Sequence, residues 1–168
     1  MTRWPFLTAA AIVGLAHGSA SLAQTLISRK YVLDRTRSSD VFHVIADAAH
    51  QPAGVGWPDL RRRLYKSSLP TDGFRITDIA GRIAISDNTP RPIIDVFAGG
   101  AAMKWKINDG QILDVSATVN GEAVIVLYRG SDYDRTTTYR NVGQQLVADT
   151  IIVGPGLSAP IRYKLVYN

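Results

Sequence analysis

Two hydrophobic periods divide the chain. Between residues 40 and 50 the apolar side chains follow a helical period. Val41, Phe42, Val44, Ile45, Ala46, Ala48 and Ala49 cover one broad face, and Asp40, His43, Asp47 and His50 fall on a narrow arc opposite. Ser38 or Ser39 supplies the expected N-cap, and Gln51-Pro52-Ala53-Gly54 ends the helix. A second helix starts at Trp57-Pro58, where proline is tolerated in the first position, and runs to Lys66 or Ser67. Trp57, Leu60 and Leu64 form its apolar stripe, while Arg62, Arg63 and Lys66 point away.

From Gly73 onward the period is two. Strands are expected over residues 74–79, 82–86, 92–97, 101–107, 111–119, 122–129, 135–142, 144–153 and 161–167. Turn chemistry separates them, most strongly at Asn108-Asp109-Gly110 and Asn120-Gly121. The connections are too short for helical crossovers, so the sheet is antiparallel. The expected fold is mainly β (α+β), preceded by two short N-terminal helices that plug or flank one end. Its sheet is an antiparallel meander of about 7–9 strands, folded as a small barrel or sandwich.

The first residues carry an address rather than structure. Met1 to Pro5 hold a single positive charge, residues 6–16 are an uncharged apolar run, and residues 17–23 are a small-residue exit. Ser21 and Ala23 suit the −3 and −1 positions of a cleavage site, giving a mature start at Gln24. The run is shorter than the about 18 apolar residues a membrane span needs, so it reads as a secretory signal peptide. The expected organisation is a signal peptide at 1–23, a helical segment at 24–72 and a β domain at 73–168, located in a bacterial periplasm or secreted. No later segment is long and apolar enough to span a bilayer as a helix.

Composition narrows the chemistry. The chain of 168 residues has 46% hydrophobic residues and no Cys, which removes disulfides, thiolate metal sites and cysteine nucleophiles. No Gly-x-x-x-x-Gly-Lys-Ser/Thr or Gly-x-Gly-x-x-Gly phosphate loop is present. No Gly-x-Ser-x-Gly elbow or Ser-x-x-Lys pair occurs, and no pair among the aspartates is selected by spacing. No convergence of acid, base and nucleophile is visible, so no catalytic residue is named. The net charge is +5, and loss of Arg3 with the signal peptide lowers it to +4. That excess sits in residues 25–66, because residues 67–168 carry ten bases and ten acids.

Three readings follow. The first is a small soluble binding or carrier protein for an apolar ligand. Trp105 with Tyr128, Tyr139, Tyr163 and Tyr167 would line its interior, or fill it as core. The second is an accessory module that binds an anionic envelope macromolecule or an acidic protein through Arg61, Arg62, Arg63 and Lys66; nucleic acid is not an expected partner. The third is a metal function. His43, Asp47 and His50 suit a divalent metal, although one straight helix spreads the whole Asp40–His50 stripe over about 15 Å, too far for a single ion. No other cofactor is expected. Asp132-Tyr133-Asp134 begins like a calcium loop but has Asn141 where a bidentate Glu belongs, so it reads as a hairpin loop.

Overall fold

The computed structural model describes residues 30–49, 57–87, 92–107 and 110–168. The expected signal peptide, His50, the helix stop at 51–54 and the Asn108-Asp109 turn lie outside the described residues. Ten strands and two helices follow in the order β1 (Lys30–Val32), α1 (Val41–Ala49), α2 (Trp57–Ser67), β2 (Gly73–Ile79), β3 (Arg82–Ser86), β4 (Ile94–Phe97), β5 (Met103–Lys106), β6 (Ile112–Asn120), β7 (Ala123–Arg129), β8 (Asp134–Val142), β9 (Gln145–Val153) and β10 (Ile161–Tyr167). All strand pairs are antiparallel, in two runs: β1-β2-β3-β4 and β5 through β10.

The fold class is as expected from the period, with one addition. A tenth strand, β1, precedes the helices, so the segment ahead of residue 73 also contributes to the sheet. Three residues are too few to show a period. β1 joins the two runs. Val32 and Asn168 exchange backbone hydrogen bonds at 2.9 and 2.8 Å, Leu33 bridges Tyr167, and the Asp34 amide donates to the Val166 carbonyl at 2.8 Å. On the far side, β4 and β5 do not pair. Ala98 instead bridges Ala117 in parallel, and the Gly99 amide donates to the Ala117 carbonyl at 2.8 Å, so the tail of β4 takes the part of the β6 edge that β5 leaves free. The strands therefore curl into a barrel, not a two-layer sandwich.

The helix start differs from expectation. Asp40 is the N-cap of α1, its Oδ1 accepting the His43 amide at 3.1 Å. Ser38 and Ser39 face β10, where their hydroxyls accept the Val166 and Lys164 amides at 2.9 and 3.0 Å. Both helices cap the barrel end formed by the β7–β8 and β9–β10 loops. Val41, Ile45, Leu60 and Leu64 are buried there and join the barrel core around Ile76, Ile83, Val115, Val126 and Ile152.

Candidate functional site

The site is built from the inward face of β8. Side chains alternate along a strand, and the buried partners of β7 and β9 set which face is inside. Arg135 lies opposite Tyr128 and Ile152, Thr137 opposite Val126 and Thr150, and Tyr139 opposite Val124 and Ala148. Tyr163, Leu165 and Tyr167 approach from β10, and Phe74 crosses from β2. The Phe74 ring meets Tyr167 edge-on at 4.6 Å and Tyr139 at 5.7 Å. These residues line a cavity of about 100 Å³, roofed by Ser67, Ser68, Leu69, Pro70 and Thr71 where the chain leaves α2.

Arg135 is the cavity's one cation. Its guanidinium stacks 4.1 Å over the Tyr128 ring. One terminal nitrogen donates to the Ser67 carbonyl at 2.6 Å, and its Nε has no hydrogen-bond partner. No carboxylate among the described residues pairs with it. Burial opposes its charge and the surrounding tyrosines favour it, and the group stays cationic. Burial also raises Tyr128 and pushes Tyr139 well above the ordinary tyrosine range. Tyr167 is raised for the same reason. Ser68 adds a second orphan, since its buried hydroxyl also lacks a partner. Two unsatisfied polar groups thus line one cavity, next to a hydroxyl pair, Thr137 and Thr150, at 3.0 Å. Buried groups of this kind are normally satisfied, so the arrangement is chemically fit to receive a polar head group.

The interior tyrosines expected from the sequence line the cavity, but Trp105 does not; it packs half-buried against the core from β5. Arg135 was not legible as an interior residue. β8 reads Asp-Arg-Thr-Thr-Thr-Tyr-Arg-Asn-Val, polar on both faces, so no alternation marks the inward side.

The basic cluster of α2 divides. Arg61 and Lys66 are exposed, and Arg62 pairs with Asp59 at 2.8 Å on the surface. Arg63 turns toward the barrel and pairs with Asp132 at 2.9 Å, while Gln111 donates to the same carboxylate at 3.0 Å. Arg63 and Asp132 thereby fasten α2 to two loops. In the Asp132-Tyr133-Asp134 hairpin, Asp134 accepts the Gly130 amide. His43 and Asp47 lie 3.3 Å apart on an exposed face. No group of three or more potential metal ligands comes together among the described residues, and no described helix is long and apolar enough to cross a membrane.

No family model matches the chain, and no curated protein matches it in sequence. Solved structures do match. A fatty acid-binding protein from brain tissue of Drosophila melanogaster is 15% identical with a TM-score of 0.57, covering 85% of this chain and 98% of its own. The fatty-acid-binding protein of Manduca sexta is 12% identical with a TM-score of 0.57 and the same coverage. Lipid binding protein 8 of Caenorhabditis elegans is 10% identical with a TM-score of 0.56, covering 89% of this chain and 100% of its own. At such identities the likeness concerns the path of the backbone: the described residues have the β-barrel fold of the fatty-acid-binding proteins.

Proposed function

We propose that the protein is a small carrier whose barrel holds an amphiphile, with an anionic head group on Arg135 and the apolar portion against the interior side chains. One observation carries this reading: a half-buried guanidinium whose Nε–H is buried without a hydrogen-bond partner, and which has no carboxylate partner among the described residues, inside a cavity lined by tyrosines. A buried cation is costly unless paired, and a ligand carboxylate pairs it. Tyr128, Tyr139 and Tyr163 and the Ser68 hydroxyl surround that position with further polar groups. The structural neighbours support the reading, since three are fatty-acid- or lipid-binding proteins. The signal-like pattern of residues 1–23 supports a site of action in the periplasm or outside the cell.

The test is isothermal titration with dodecanoate and dodecanol, which share a chain and differ in head group. Dodecanoate should bind roughly tenfold to a hundredfold more tightly, the range expected of hydrogen bonds to a charged group. Arg135→Met should erase that preference. Equal affinity for the two probes, or no binding of either, refutes the proposal.

A further inference from the structure

The cavity is small for the ligand just proposed. Pockets that enclose a drug-sized molecule run to about 300–1,000 Å³, several times the about 100 Å³ seen here. Its roof is the short stretch from Ser67 to Thr71, between the end of α2 and β2. One contact from the barrel wall to this roof is made by Arg135 itself, through the Ser67 carbonyl at 2.6 Å, and another joins the Thr71 and Tyr167 side chains. Tyr133 adds a further tie, its hydroxyl donating to Ser67 Oγ at 2.9 Å, and Ser67 Oγ donates in turn to the Leu64 carbonyl at 3.4 Å. The group fit to hold a ligand's anion is therefore one of the groups that hold the roof down.

We infer that Arg135 is a latch: an incoming anionic head group replaces the Ser67 carbonyl as the partner of its guanidinium, and the 67–71 segment is released as the ligand is seated. This rests on the carrier reading. The exchange is favourable at the latch because a carboxylate accepts from guanidinium more strongly than a peptide carbonyl, and does so through two oxygens. Nη1, which Ser67 engages, forms the end-on fork of the guanidinium with Nη2, so a carboxylate held by both terminal nitrogens displaces the Ser67 carbonyl. An uncharged head group lacks that advantage and leaves the roof closed. Release of the segment also widens the cavity.

Amide hydrogen exchange of the whole protein reads the latch directly. Ligands ordinarily slow exchange, because they bind the folded state. Here saturating dodecanoate should speed exchange of the Ser68, Leu69 and Thr71 amides about tenfold while dodecanol does not, the rest of the barrel being unchanged or slowed. Ligand-free Arg135→Met should show the same local acceleration. Tyr133→Phe, which leaves the guanidinium in place, should raise the association rate of dodecanoate while its preference over dodecanol persists. Tight dodecanoate binding with unchanged or slower exchange at 68–71 overturns the latch and leaves the carrier standing. Absence of dodecanoate binding overturns the carrier and the exchange of partners with it. The wild-type measurement needs no variant, so it decides the matter even where Arg135→Met does not fold.

Discussion

A single pair of hydroxyls shows how polarity is managed inside this barrel. Thr137 and Thr150 face each other across β8 and β9, both buried, and share one hydrogen bond. Replacing one by Val leaves the other with a buried, unpaired hydroxyl, at a cost of about 1–3 kcal/mol. Replacing both restores a matched apolar pair. Thr137→Val and Thr150→Val should each lower the urea midpoint, and the double variant should recover most of the loss, a non-additivity read from the double-mutant cycle. Arg135 belongs to the same inward row, but its Nε lacks a hydrogen-bond partner among the described residues, which is why it stands out. Neither fact could be read from the strand's sequence. The tyrosines were legible because Tyr163 and Tyr167 sit on a clean alternation in β10, where Ile161 and Leu165 mark the buried face. β8 has no apolar marker at Arg135, and its inward face is fixed only by the neighbours it pairs with. The basic triplet at 61–63 was conspicuous in sequence, yet helical geometry fans it apart, so that only Arg63 reaches the barrel.

Among the elements, the helices and nine of the strands follow from periodicity and turn chemistry. The segment between β1 and α1 does not. Its serines look like helix caps in sequence, yet Asp40 takes that role and frees both hydroxyls for β10. The distinction is tertiary: β10 offers unpaired amides along the edge that β1 is too short to cover, and a hydroxyl satisfies each one. Asp34 begins this segment, its carboxylate held below the ordinary range chiefly by the Thr36 hydroxyl. Ser38→Ala and Ser39→Ala should each destabilise the protein by about 1 kcal/mol. The check is amide exchange, which should quicken at Val166 in the first variant and at Lys164 in the second. The turn between β2 and β3 lies where the sequence pattern placed it, but without the usual signature. It uses Ala80 and Gly81, both at positive φ, where Asn-Gly would be the usual signature.

Taken whole, the molecule is a ring of strands around phenols kept neutral. Tyr128, Tyr139 and Tyr167 are all raised above the ordinary tyrosine value of 10.0, with burial the first cause in each. A group whose folded value is raised favours folding fully below its unfolded value and loses that contribution as pH rises through the folded one. Stability should therefore hold up to about pH 10 and fall above it. Urea midpoints between pH 8 and 11 would show the decline, and Tyr139→Phe should make it shallower. The ring itself is sealed by Val32 and Asn168, which lie far apart along the chain, through bonds that no neighbouring hairpin can make. The hairpins within β2–β4 and within β5–β10 are local, but the seal needs the loop-closure entropy of nearly the whole described chain. It belongs to the native side of the folding barrier: weakening it at Leu33 or Tyr167 would hasten unfolding and leave the rate of folding almost untouched.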